Sequence, residues 1–227
     1  WLSCLTQSGS PKRYKQYRDK FRRGDLLSQV ITGRDVGDEH IEKRFFIEIG
    51  TSDFDTYEHL AQQGWKGIFV EPVEEYFNNL ERFDGCIYEN CAVLDTMGTM
   101  PMQLYDPEWA KGWMRGVGSL DLEFNNFYAN PDFKKYVIKR EVPVVTLDYL
   151  INKHNVTRID SLKIDIEGLE YKILDQYSWK IKPKNIIVEY KHWKHRDIEV
   201  GTYIQLFNLM GYECSMDEEN LTGVLNE

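Results

Sequence analysis

The chain has 227 residues, 42% of them hydrophobic and 29% charged, which is enough for one α/β domain with its own core, and nothing marks a second core. Its formal charge of −9 argues against a general nucleic-acid binder, and no run approaches the roughly 20 apolar residues of a membrane span. The basic charge is local: Pro11 to Gly24 carries seven Lys or Arg against one Asp.

The N-terminal arm, residues 1–44, opens irregularly. Ser10 followed by Pro11 is a good helix start, and Tyr14, Tyr17 and Phe21 then recur at helical spacing on an otherwise basic segment, Lys12 to Arg23. A helix packed by its aromatic stripe with a solvated basic face accounts for this better than an anion site. Residues 45–227 form the expected main domain. Phe45 to Ile49 is an apolar run carrying one acid, Glu48, and stops at Gly50, so it reads as a buried strand ending in a turn. Thr56 to Gln63 reads as helix, capped by Asp55 and ended by Gly64, and Gly67 to Val70 is a second strand finishing on Glu71 and Pro72.

This βαβ unit puts an acid at the tip of its second strand, where a ribose hydroxyl pair needs an acceptor. The backbone N–H groups of Thr51 to Phe54 suit a carboxylate or phosphate. A dinucleotide fingerprint would need glycines at 52 and 55, and the chain has Ser52 and Asp55. A smaller, positively charged cofactor with its own carboxylate, such as S-adenosylmethionine, does not require that close approach.

Further along, Val73 to Phe83 reads as helix, Gly85 to Ala92 as a third strand, and Met100 to Leu104 as a returning hairpin arm. Residues 105–136 are dense in aromatics and read either as a flexible lid or as a loop tucked onto the core by its own rings. A strand at Val142 to Thr146, a helix at Leu147 to Lys153, a strand at Ser161 to Ile166 and a helix at Gly168 to Tyr177 follow. A strand at Asn185 to Tyr190 and a helix at Val200 to Met210 come next, and Tyr212 to Met216 with Leu221 to Leu225 can close the sheet as an antiparallel pair. Alternating strands and helices imply a mostly parallel sheet with helices on both faces.

Asp165 and Glu189 lie at the carboxyl ends of adjacent strands, the edge on which open α/β sheets bind ligands. They can act as proton acceptors or hold a hard divalent ion such as Mg²⁺ or Mn²⁺, with His192 just beyond them. His192 and His195 alone make a weak zinc motif. Four cysteines without CxxC spacing read as reduced thiols, which with the lack of a signal-peptide pattern makes a cytoplasmic location the expectation. A chain beginning at Trp1 reads as a segment of a longer protein.

Six stretches together resemble the FkbM-like S-adenosylmethionine-dependent methyltransferases. They are EIGTSDF (48–54), FVEP (69–72), GVGSL (116–120), VVTLDYLI (144–151), LKIDIEG (162–168) and IIVEY (186–190). The resemblance implies a Rossmann-like class I methyltransferase fold with a seven-stranded sheet, and methyl transfer to an oxygen, commonly a sugar or polyketide hydroxyl. By position it implies that Glu48, Gly50, Thr51, Ser52 and Asp53 hold the methionine end of the cofactor, Glu71 the ribose, and Asn90, Cys91 and Ala92 the adenine. The family usually has Gly where this chain has Phe54 and often Asn where it has Ser52. Asp165, Glu189 and His192 are the catalytic candidates, and Asp165 with Glu189 the candidate metal ligands. Trp109 and Trp113 are candidates to stack on a carbohydrate acceptor. A module working with, or fused to, glycosyltransferase domains fits that chemistry. A nicotinamide oxidoreductase and a non-catalytic Rossmann-like binding module are the competing readings.

Overall fold

A computed structural model describes residues 44–53, 57–123 and 132–226, all within the unit formed by residues 41–227. The expected basic helix, the roles of Phe54 and Asp55, and the middle of the aromatic segment lie outside the described residues.

Among the described residues, eleven strands form two sheets. In chain order the regular elements begin with β1 (Phe45–Ile49), α1 (Glu58–Gln62), β2 (Lys66–Val70), α2 (Glu74–Asn79), β3 (Cys86–Glu89) and β4 (Ala92–Val93). Then come β5 (Gly98–Tyr105), β6 (Gly118–Ser119), β7 (Val137–Val145), α3 (Leu147–Lys153), β8 (Ser161–Ile164) and α4 (Glu170–Gln176). The chain finishes with β9 (Asn185–Glu189), α5 (Val200–Leu209), β10 (Tyr212–Met216) and β11 (Asn220–Leu225).

The larger sheet has seven strands in the order β3-β2-β1-β8-β9-β11-β10. β1 is parallel to both β2 and β8, and β8 to β9, while β11 runs antiparallel to β9 and β10. The central strands β1, β2, β8 and β9 are largely apolar and buried because both faces of the sheet are covered there. Along β1, Phe46 packs edge-on to Phe69 and to Tyr57 beside α1, whereas Ile47 and Ile49 join the core made with Leu147 and Leu150 of α3, Ile173 of α4 and Phe207 of α5. Thr146 starts α3 as its cap, its hydroxyl accepting from the Tyr149 N–H at 3.2 Å.

The second sheet, β4-β7-β5-β6, differs from the expected single sheet. The short strand expected at Val142 to Thr146 is the end of a nine-residue strand, which pairs antiparallel with β5 from Gly98↔Val144 to Tyr105↔Val137. Met102, Leu104, Val142 and Val144 from this sheet pack with Val73 and Tyr76 at α2 and with Leu169. The chain runs outward from β1 to β3, makes this excursion, and returns on the other side of β1 as β8, so a crevice opens at the carboxyl ends of β1 and β8. Among the described residues no helix is long and apolar enough to cross a membrane.

Candidate active site

The crevice is a cleft enclosing about 590 Å³, its open mouth included. Gly50 and Ser52 at the end of β1 and Glu71 to Val73 at the end of β2 form one side of it. Cys91 to Val93, Met102, Leu104 and Leu120 give it apolar walls; Arg115 to Gly118 run along another edge, and Asp165 and Ile166 close the far side.

Backbone geometry sets the first turn. Gly50 has φ +82, and a Cβ there would collide with the Asp165 carbonyl oxygen, so β1 and β8 approach as closely as they do only with glycine. The Gly50 and Thr51 N–H groups both donate to the Val70 carbonyl, at 3.0 and 3.2 Å. The Thr51 hydroxyl donates to the same oxygen at 3.2 Å, so its side chain holds the turn. Ser52 sits in the left-handed region at φ +53, which turns its N–H onto Glu71 Oε2 at 2.6 Å, and its hydroxyl donates to the Arg115 carbonyl at 3.1 Å. Glu71 Oε1 accepts from the Val73 N–H at 2.7 Å. Asn90 stands behind: its side-chain amide donates to the Glu71 and Pro72 carbonyls at 2.8 and 3.2 Å.

Glu71 is thus fixed at the β2 tip before any ligand arrives. Burial pushes its carboxyl up to about 7, against the pull of the Val73 and Ser52 N–H groups. Beside it, the Tyr76 hydroxyl is buried with no hydrogen-bond partner among the described residues, and burial followed by the charges of Glu71 and Glu75 raises its pKa. Asp53 pairs with the Arg115 guanidinium, which also lies 5.3 Å over the Tyr76 ring. Asp53 Oδ1 is buried without a hydrogen-bond partner among the described residues. Glu48 does not reach the cleft surface: it is fully buried, with Oε2 accepting from the Tyr57 N–H at 3.2 Å and Oε1 3.6 Å from Lys163 Nζ.

The acids on the far side fall into two groups. Asp165 borders the cleft, and Lys163 Nζ donates to its Oδ2 at 3.2 Å. Burial works against the charge of Lys163, but Asp165 and Glu48 overcome it and hold the ammonium above its ordinary range. Glu189 and His192 meet Glu167, a residue not singled out in the sequence: His192 Nε2 lies 3.1 Å from Glu167 Oε2 and 3.9 Å from Glu189 Oε2. Burial, then the nearby charges of Asp165 and Glu167, raises the Glu189 carboxyl well above its usual value even though Lys191 pairs with it. The turn carrying Glu167 is braced by Glu170, which accepts from the Ile166 and Gly168 N–H groups and from Trp193 Nε1 at 2.8–3.0 Å.

Of the expected cofactor residues, Gly50, Ser52, Glu71, Cys91 and Ala92 line the cleft. Thr51 and Asn90 brace the turns that carry them, Glu48 is buried behind the cleft on Tyr57 and Lys163, and Asp53 reaches the cleft through Arg115. Among the catalytic candidates, Asp165 lines it, and Glu189 and His192 converge at Glu167. Among the described residues, Glu167, Glu189 and His192 form a three-residue group able to hold an ion; it shares Glu189 with the expected pair and does not include Asp165. Neither Trp109 nor Trp113 lines the cleft. Trp109 stacks on Tyr136 at 3.5 Å and packs near Phe133, whereas Trp113 is 53% exposed and edge-on to Tyr105. The aromatic segment is therefore tucked down at Trp109 and open at Trp113. Arg115 and Tyr76 stand just outside the GVGSL and FVEP stretches, and nothing in their spacing singles them out. Glu167 stands two residues after Asp165 in LKIDIEG, and that spacing was the available signal.

These groups fit a cofactor with a ribose, a flat base and a charged amino-acid end. The cleft offers a preset carboxylate and an unpartnered phenol, with apolar walls beside them and the Asp53–Arg115 pair at one end. No curated protein matches the chain. The methyltransferase FkbM domain matches residues 35–214, and on that match over most of its length the chain belongs to the FkbM methyltransferase family.

Proposed function

We propose that the chain is an S-adenosylmethionine-dependent O-methyltransferase of Rossmann-like class I architecture, acting on a sugar hydroxyl of a glycan or glycolipid. The observation that carries this reading is Glu71, a buried carboxylate preset by the Ser52 and Val73 N–H groups at the rim of a cleft with apolar walls. The strand order, with its reversal beside β1, supports it. When bound, S-adenosylmethionine supplies an electrophilic methyl group on a sulfonium.

The chain's own residues then have distinct tasks. Glu71 accepts from the ribose hydroxyls, Ala92 and Cys91 lie against the adenine with Asn90 fixing their approach, and Asp53 meets the amino-acid end together with Gly50, Thr51 and Ser52. Glu48 is a positioning residue that anchors Tyr57 and Lys163. An alcohol is a weak nucleophile until its proton is leaving, so a base within reach of the acceptor oxygen is needed. Asp165 takes that proton, with Lys163 fixing the carboxylate, and Glu189 and His192 stand behind it. Trp113 offers an exposed ring face to the sugar, as part of a module that works with glycosyltransferase domains in the cytoplasm.

Calorimetry with S-adenosylmethionine and with NADH, followed by transfer of a radiolabelled methyl group to a glycan panel, tests the reading. Binding of the first ligand alone and label in a sugar ether are expected. Binding of NADH instead would establish the oxidoreductase alternative, and cofactor binding without transfer to any carbohydrate would remove the sugar acceptor.

A further inference from the structure

Glu167, Glu189 and His192 each present one ligand atom, and these atoms lie within 4.8 Å of one another. All three residues are buried, at 9, 4 and 8% exposure. The pairing of His192 Nε2 with Glu167 Oε2, at 3.1 Å, accounts for two of them. It leaves the third unexplained: Glu189 Oε2 is buried with no hydrogen-bond partner among the described residues, 3.9 Å from His192 Nε2, while Lys191 pairs with the other oxygen, Oε1. An unpaired carboxylate oxygen in a buried site is costly unless something cationic meets it.

We propose that Glu167, Glu189 and His192 form a binding site for one divalent transition-metal ion. Ligand bonds of about 2.0–2.2 Å put neighbouring ligand atoms roughly 3–4.4 Å apart, and the 3.1 and 3.9 Å separations already fall in that range. Glu167 and Glu189 bring two negative charges to the ion, and Lys191 meets only the outer oxygen of Glu189, Oε1. The imidazole nitrogen selects the ion, since Mn²⁺, Co²⁺ and Zn²⁺ accept nitrogen readily and Mg²⁺ and Ca²⁺ prefer oxygen throughout. The three ligands come from two segments, the turn after β8 and the end of β9 with the residues beyond it. Glu170 fixes the first by taking up the Ile166 and Gly168 N–H groups, and the Ser119 hydroxyl donates to the Glu167 carbonyl at 3.0 Å. The site rests on these side chains and stands whether or not the chain transfers methyl groups.

The test uses the whole chain stripped with EDTA and dialysed, titrated with MnCl₂ while electron paramagnetic resonance reads the free ion. One equivalent should bind, and Zn²⁺ should displace it at far lower concentration than Mg²⁺ does. Glu167→Gln and His192→Gln keep side-chain volume and should each weaken binding at least about tenfold. The visible spectrum of the Co²⁺-loaded wild type gives a reading that needs no variant, because a bound nitrogen ligand shifts the bands from those of the aqueous ion. No stoichiometric Mn²⁺ binding, binding unchanged in a folded variant, or an aqueous Co²⁺ spectrum would each overturn the proposal.

Discussion

Replacing Glu71 with Gln changes one atom of the carboxyl, yet the site makes its consequences large and readable. The carboxylate is 4% exposed and accepts two short backbone hydrogen bonds, so the amide must turn one N–H toward an existing donor. Leaving one buried donor unpaired costs about 1–3 kcal/mol. The pH dependence has its own sign. Burial raises the carboxyl from 4.5 to about 7, so the folded state favours the protonated form. The contribution of Glu71 to stability is therefore complete below about pH 4.5 and is lost as pH rises through about 7, a change of about 3 kcal/mol. Glu71→Gln should flatten that part of the stability curve. A ligand that donates two hydroxyls to the carboxylate favours the ionised form, so binding near pH 6.5 should release up to about three quarters of a proton. Calorimetry of S-adenosylmethionine binding in buffers of different ionisation enthalpy reads this directly. In Glu71→Gln the release should vanish and affinity should fall about 5- to 150-fold. Proton release that persists in the variant, or unaltered affinity, would refute the assignment of Glu71 to the ribose.

Three other perturbations have separate outcomes. Asp165→Asn should lower kcat by about 10² to 10⁴ while cofactor affinity by calorimetry stays near wild type, and near-normal turnover would remove Asp165 as the base. Trp109→Ala, which strips a ring stacked on Tyr136, should cost about 2 kcal/mol in urea unfolding. Trp113→Ala should stay within about 0.5 kcal/mol of wild type and instead raise the acceptor KM, and a purely thermal effect would show that its ring has no acceptor role. Gly50→Ala forces a left-handed alanine into the Asp165 carbonyl and should destabilise the fold by well over about 2 kcal/mol, which an unchanged urea midpoint would contradict.

The elements that surround the cleft were legible for a physical reason: strands buried on both faces, such as FFIEI and NIIVE, read as apolar runs bounded by turn residues. The antiparallel closure by β10 and β11 was legible as two short runs following the last helix. The second sheet was not, because β5 and β7 are partners about forty positions apart and nothing local to either run names its partner. At the site, strand-end position identified Glu71 and Asp165, whose backbones run regularly to the cleft. Glu167 escaped because it lies past the strand in a left-handed turn at φ +61, where period-two reasoning no longer tells which way a side chain faces. Trp109 and Trp113 carry the same residue name four positions apart, and only packing distinguishes a ring that holds the segment down from one left outside.

The excursion between β3 and β8 opens and closes on one parallel pair of the second sheet, Ala92 with Val144 and Val93 with Val145. Its two ends are pinned together independently of what lies between them. The entropy of closing such a loop grows only logarithmically with its length, about 0.6 kcal/mol for each doubling. A change of length between those ends is therefore expected to cost little, provided it keeps the contacts that Met102, Leu104, Arg115, Ser119 and Val142 make with the β1, β2 and β8 ends and their turns.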